Sequence, residues 1–157
     1  MTLRHTLATL AYRAAKVARG APADFSRFTP TAGSRSAGQI LAHMGDLMDW
    51  AASIVEGKQT WHDSTPQAWD ADVQRFFAAL AKFDALLAGP PDAAPGLREG
   101  TEEKLFQGPV ADALTHVGQL AILRRIAGAP IKGENYFVAD ITAGRVGQDQ
   151  APPKREF

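Results

Sequence analysis

Two histidines and an aspartate occupy positions from which they could bind a metal ion. Asp112 and His116 are four residues apart in the segment ADALTHVGQ, so in a helix both side chains project from one face. His43 lies on the apolar face of another helical segment, where a histidine is usually buried and satisfied by a single hydrogen bond. If His43 faces the other two residues inside a helix bundle, two imidazoles and a carboxylate converge. That donor set suits Zn, Ni, Mn or Fe(II).

Asp112 also has an explanation that needs no metal. Pro109 is expected to open the helix, which places Asp112 in its first turn. A carboxylate there interacts with free N–H groups and with the positive end of the helix dipole, for roughly 0.3–1 kcal/mol. An inward-facing carboxylate would instead need a partner, because burying it unpaired costs several kcal/mol. Both explanations stay open at this point.

Three further residues extend the candidate site. Gln119 follows His116 by three residues and could hold its imidazole, although a solvated glutamine is the simpler interpretation. Gly118 lies mid-helix, where glycine costs about 1 kcal/mol relative to alanine, which suggests close approach by another backbone or a ligand. Asp46 lies three residues after His43 and is a second candidate ligand, but a solvated position is the stronger expectation.

Composition narrows the function classes. The chain has 157 residues, of which 45% are hydrophobic and 22% charged, as in an ordinary globular domain. It has no cysteine, so any metal site must use His, Asp and Glu, and a thiolate nucleophile is excluded. Seventeen basic residues balance 17 acidic ones, which argues against a nucleic-acid partner. No apolar run is long enough for a membrane span, and no phosphate-binding loop or nucleophile elbow occurs.

Four amphipathic segments position these candidate residues. Helical spacing of apolar residues predicts helices over about 2–19, 36–56, 65–88 and 109–127. The second begins with a capping box formed by Ser36 and Gln39, and the third has Pro66 in its first turn. The first carries only basic charges, like a transit peptide, but its apolar spacing and the Gly20 that follows favour a structural helix. We therefore expect a cytoplasmic protein.

Four helices of similar length with little strand signal predict an all-α fold. We expect one four-helix-bundle domain over residues 1–157, with an irregular C-terminal tail over about 130–157 packed on it. The connections 20–35 and 88–108 are long enough to cross an end of the bundle, so simple up-down-up-down order is not assured. Glu134, Asn135 and Tyr136 of the tail could close over the site as acid, base or substrate contact. A purely structural tail is the stronger expectation.

Two of the helical segments resemble a known family. SAGQILAHMGDLMDW resembles the second-helix motif of DinB-like (DinB/YfiT) proteins, in which a histidine follows a capped helix start. THVGQLAILRRIAG resembles the fourth-helix signature of that family, with a histidine shortly before Gly-Gln and a Leu-Arg stretch. The resemblance covers about residues 1–128, and the tail falls outside it.

The resemblance implies a fold and a set of ligands. DinB-like proteins are four-helix bundles, often homodimers, with a divalent metal held by three histidines, one from the second helix and two from the fourth. By position, His43 matches the first ligand and His116 the last, while Asp112 stands where the family usually has histidine. The ligand spacing is thus retained with a carboxylate in place of an imidazole. The alternative implication is a member that no longer binds metal.

The resemblance implies a metal-dependent enzyme acting on a small molecule, either a hydrolase or a thiol-dependent transferase. Since the chain has no cysteine, any thiol would come from a cosubstrate. The alternative is a non-catalytic helical domain that binds a small ligand or acts as a stress-associated dimer. In the first case His43, Asp112 and His116 hold the metal and Gln119 orients a ligand.

Overall fold

The chain folds into a bundle of α-helices. The structure, a computed structural model, describes residues 2–157. Its α-helices are α1 (Leu3–Ala18), α2 (Ala37–Val55), α3 (Trp69–Ala88), α4 (Thr101–Leu105) and α5 (Ala111–Ile126). A π-helical turn (Phe106–Val110) joins α4 and α5 into one continuous helical segment. Among the described residues the only β pairing is a single bridge between Glu134 and Glu156, so the predicted all-α bundle with a C-terminal tail is confirmed.

Local signals explain where the long helices begin and end. Ser36 accepts a hydrogen bond from the Gln39 amide at 3.1 Å, and the Gln39 side chain accepts one from the Ser36 amide at 2.8 Å. This capping box satisfies two N–H groups that the helix leaves free. Gly20, Gly57 and Gly128 have positive φ values of 64°, 76° and 80°, a conformation that glycine adopts without strain just after a helix.

The apolar faces of the four long helices meet in one core. Its fully buried large side chains come from all of them and from the flanking segments: Leu7, Leu10, Phe25, Met44, Met48, Val55, Phe76, Leu80, Phe83, Leu105, Val110 and Leu120. Each such side chain stabilises the fold by about 1.5–3 kcal/mol relative to an exposed position. Within residues 2–157, none of the helices combines the length and the apolarity that crossing a membrane takes.

The directions of the helices are fixed by their contacts. Arg75, near the start of α3, donates to the Ala42 carbonyl near the start of α2 at 3.1 Å. Lys82, later in α3, reaches Glu56 at the end of α2 at 3.1 Å. The two helices therefore run parallel, which requires a connection that returns along the full length of α2.

The remaining two helices run opposite to this pair. The Trp69 indole, at the start of α3, donates to the Ala18 carbonyl at the end of α1, which makes α1 antiparallel to α3. Arg124, near the end of α5, donates to the Val17 carbonyl near the end of α1 at 2.8 Å, so α1 and α5 run in the same direction. The site described below therefore forms between two antiparallel helices, α2 and α5.

The returning connection, residues 56–68, differs from the sequence expectation. The Thr60 amide donates to the Ser53 hydroxyl at 2.9 Å, and the Ser64 amide donates to Asp46 at 2.9 Å, so the chain runs back along α2. The expected crossing connections, 20–35 and 88–108, instead join antiparallel helices. We call residues 56–68 the crossover segment.

Two helix starts were predicted wrongly. Helix α3 begins at Trp69 rather than near Thr65, because the last residues of the crossover segment are extended along α2. The helical segment that ends with α5, predicted as the fourth helix, begins at Thr101 rather than Pro109, and Pro109 lies inside the π-helical turn. Proline has no N–H and its ring clashes with the carbonyl four residues earlier, and a wider turn relieves both problems.

Candidate metal centre

His43, Asp112 and His116 converge between α2 and α5. One donor atom from each residue lies within 4.8 Å of the donor atoms of the other two. The two imidazole rings meet edge to face with their centroids 5.0 Å apart. The antiparallel packing of α2 on α5 produces this convergence, since it sets the middle of α2 against the first half of α5.

The distances around Asp112 fit a coordination sphere. His43 Nε2 lies 3.3 Å from Asp112 Oδ2, and His116 Nε2 lies 3.4 Å from Asp112 Oδ1. Donor atoms held about 2.0–2.1 Å from a tetrahedral metal ion are roughly 3.3 Å apart, whereas N–H···O hydrogen bonds cluster at about 2.9–3.0 Å. The donor set of two imidazole nitrogens and a carboxylate therefore fits a divalent transition metal.

Gln119 orients the His116 ring. Its side-chain oxygen lies 2.8 Å from His116 Nδ1. An amide oxygen only accepts hydrogen bonds, so this contact favours the imidazole tautomer that carries its proton on Nδ1 and has a lone pair on Nε2, on the side of the candidate centre. Metal-binding histidines commonly have such a partner on the other ring nitrogen. The structure thus gives Gln119 the position of a ligand-orienting residue rather than that of a freely solvated one.

The helix-start explanation for Asp112 is weakened by the π-helical turn. Because the helical segment begins at Thr101, Asp112 follows more than two turns of helix instead of opening one. The backbone N–H of Ala111, one residue earlier, already donates to carbonyls of that preceding turn. Few free N–H groups are left there for the carboxylate to stabilise.

The centre is open on one side and covered by a tryptophan on another. The His116 side chain is 9% exposed, that of His43 is 23% exposed and that of Asp112 is 47% exposed. Trp61 of the crossover segment meets the His43 ring edge to face at 5.7 Å and the Trp50 ring at 5.9 Å. Solvent and a small molecule can thus reach Asp112, while an aromatic wall shields His43.

Two neighbouring residues do not belong to the centre. Asp46 is buried, contrary to the expectation of a solvated side chain, and its carboxylate binds Arg75 and Ser64 instead of joining the histidines. No backbone approaches Gly118, since a Cβ placed there would have nothing within 4 Å. The close approach of another backbone predicted there is therefore wrong.

The tail residues also lie elsewhere. Glu134 accepts hydrogen bonds from Tyr12 and Lys16 of α1, each at 2.6 Å, and its side chain is fully buried. Tyr136 packs edge to face on Tyr12, and Asn135 accepts a hydrogen bond from a neighbouring amide of the tail. None of these contacts involves the metal-binding candidates, so the tail serves as a structural element on α1 rather than as a cover over the site.

Trp61 is the neighbour of the centre that the sequence did not reveal. It lies in a segment without helical or strand spacing, and only the parallel arrangement of α2 and α3 brings that segment back over His43. A sequence signal was available in Trp61 itself, a large aromatic residue in an otherwise polar stretch, and the structure leaves its side chain 45% exposed. Such residues often contribute to binding surfaces.

Comparison with known proteins identifies no relative, so the interpretation of the site rests on its geometry. The chain matches no protein-family model, no curated protein and no solved structure. The resemblance to DinB-like proteins therefore stays a prediction from the two helical motifs.

Proposed function

We propose that the protein is a divalent-metal-dependent enzyme that acts on a small molecule, with His43, Asp112 and His116 as the metal ligands. The observation that carries the proposal is the convergence of two imidazole nitrogens on the two oxygens of one carboxylate, at 3.3 and 3.4 Å. The resemblance of the two helical motifs to DinB-like proteins supports the same assignment. It also supports a homodimer, in which the exposed side chains of Ile122 and Ile126 would be available for an interface.

The chemistry follows from the openness of the centre. Three protein ligands leave coordination positions free, and a divalent ion bound there supplies Lewis acidity toward a substrate. His116, oriented by Gln119, and His43, shielded by Trp61, hold fixed positions, while the half-exposed Asp112 faces the side from which a substrate arrives. The reaction classes proposed are hydrolysis and thiol-dependent transfer. Because the chain has no cysteine of its own, the thiol would come from a small cosubstrate.

The first test is metal content. Elemental mass spectrometry of the untagged protein, after incubation with Zn, Ni, Mn and Fe(II) in turn, should find close to one ion per chain. His43→Ala and Asp112→Ala should each lose it, because two remaining ligands bind a transition metal weakly. His62→Ala is the matched control, since His62 is exposed and outside the cluster. Failure of the parent to retain any of the four metals would contradict the proposal.

A second candidate function follows from the same three residues. Asp112 is close enough to both histidines for direct contacts among the three side chains to hold the cluster without a metal, as expected of a non-catalytic domain that binds a small ligand. In that case His116→Ala would lower the melting temperature without changing metal content. The metal measurement therefore separates the two functions.

A further inference from the structure

A cleft lies beside the candidate metal centre, between the end of α2 and the segment that leads into α5. It has a volume of about 580 Å³ and is lined by both apolar and polar groups. Trp50 and Ile54 of α2 form one wall, and Leu105 and Pro109 form the opposite wall. This size and apolar character suit an organic molecule of small to moderate size.

The charge of this cleft is one-sided. Arg98 and Lys104 line it, and no aspartate or glutamate does. Neither cation takes part in an ion pair within the described part of the chain. Glu99, Glu102 and Glu103 lie in the same segment but do not line the cleft, so the excess of positive charge is confined to its lining. Two free cations beside apolar walls are complementary to an anion with an apolar body.

The cleft and the metal centre share a wall. Trp50 lines the cleft and contacts Trp61, which in turn contacts His43. On the other side, Gly108 and Pro109 line the cleft within the helical turn just before Asp112. A molecule that fills the cleft therefore lies next to the elements that carry the candidate ligands.

We propose that this cleft binds a small organic anion, with its carboxylate at Arg98 and Lys104 and its apolar body against Trp50. Binding itself depends only on the cleft. The additional step, that this anion is the substrate presented to the metal centre, rests on the proposed function.

The test compares a probe with its neutral isostere by isothermal titration calorimetry. For 2-naphthoate we expect a dissociation constant on the order of 1 mM, from about −0.3 kcal/mol per non-hydrogen atom. 2-Naphthamide, which has the same shape without the charge, should bind several-fold more weakly. Arg98→Gln and Lys104→Gln should each weaken naphthoate binding about threefold, as exposed ion pairs do, and leave naphthamide binding unchanged. Lys154→Gln, which removes an exposed cation that does not line the cleft, is the matched control.

The outcomes separate this proposal from the metal proposal. If the protein holds no metal and Asp112→Ala still binds naphthoate as the parent does, the anion site is supported. Only the additional step, in which the anion is presented to a metal as substrate, is then lost. Equal affinities for naphthoate and naphthamide, no binding of either, or equal weakening by Lys154→Gln and Lys104→Gln would each overturn the anion site.

Discussion

The two ring nitrogens of His116 have separate tasks, and Gln119 is responsible for the separation. Nδ1 donates to the Gln119 oxygen, which leaves the lone pair of Nε2, 3.4 Å from Asp112, available to the candidate metal. Gln119→Ala removes the acceptor and lets the ring change its orientation and its tautomer. We expect zinc affinity, measured by competition with a chromophoric chelator, to fall about 10- to 100-fold.

The conservative variant Gln119→Glu is the control for this prediction. A glutamate keeps an acceptor oxygen at the same distance along the side chain, so zinc affinity should stay within a few-fold of that of the parent. If Gln119→Ala binds zinc as tightly as the parent does, the hydrogen bond does not orient His116. Equal losses in both variants would instead indicate a packing effect of position 119.

At the scale of elements, the crossover segment is held against α2 by a buried carboxylate. Asp46 accepts hydrogen bonds from the Ser64 amide at 2.9 Å and the Ser64 hydroxyl at 2.6 Å, and it pairs with Arg75 of α3. Gly45 makes room for that arginine, because a Cβ at position 45 would lie 2.7 Å from its guanidinium. One carboxylate thus connects α2, α3 and the segment that carries Trp61.

We expect Asp46→Asn to lower the free energy of unfolding by about 2 kcal/mol near pH 7, because it leaves a partly buried arginine with a weaker partner. Burial raises the pKa of Asp46, but the bonds from Ser64 and Arg75 outweigh it and hold that pKa below its ordinary value. The contribution of a carboxylate with a lowered pKa is present above its ordinary value and is lost as the pH falls through the folded-state pKa. Urea unfolding should therefore show that the difference in free energy of unfolding between the parent and Asp46→Asn becomes smaller below about pH 4.

Asp63→Asn is the matched control for this element, since Asp63 is an exposed aspartate next to Ser64. Asp63→Asn should change the free energy of unfolding by less than about 0.5 kcal/mol both near pH 7 and below about pH 4. A pH-independent loss in Asp46→Asn would assign the effect to packing rather than to the carboxylate charge.

The elements that the sequence predicts well are those governed by local rules. Ser36 and Gln39 fix the start of α2 through bonds between residues three apart, and apolar spacing alone places α1, α2 and α5. The starts of α3 and of the segment that contains α4 and α5 were predicted wrongly, because the crossover segment and the π-helical turn depend on contacts with other elements. The convergence of His43 with Asp112 was predictable from helix faces. Its tryptophan cover was not, because Trp61 reaches the site through the parallel arrangement of α2 and α3.

At the scale of the whole molecule, one buried ion pair fastens the tail to the bundle. Lys16 of α1 pairs with Glu134 at 2.6 Å and with Glu156 at 3.1 Å, so one lysine holds both of the tail segments that the 134–156 bridge joins. Burial, together with the hydrogen bond to Glu134, raises the pKa of Tyr12. Burial lowers the pKa of Lys16, but its bonds to the two glutamates outweigh this and raise it overall. Because both pKa values are raised, the stability that these contacts contribute is fully present below the ordinary tyrosine and lysine pKa values, which are about 10, and it is lost as the pH rises through the higher folded-state values.

We expect Glu134→Ala to release the tail while the bundle stays folded. Removing one member of a buried ion pair costs about 3 kcal/mol, because Lys16 is left without its buried partner. Most of the core lies in the helices, so the loss should appear as local opening. Hydrogen exchange near neutral pH should show lost protection at the Asn135 and Phe157 amides, which pair with the Arg155 and Gly133 carbonyls, with helical amides unchanged. Glu156→Ala, which removes a half-exposed carboxylate, should cause a smaller loss of protection than Glu134→Ala does. Equal loss of protection in the tail and in the helices of Glu134→Ala would show that the tail is part of the same cooperative unit as the bundle.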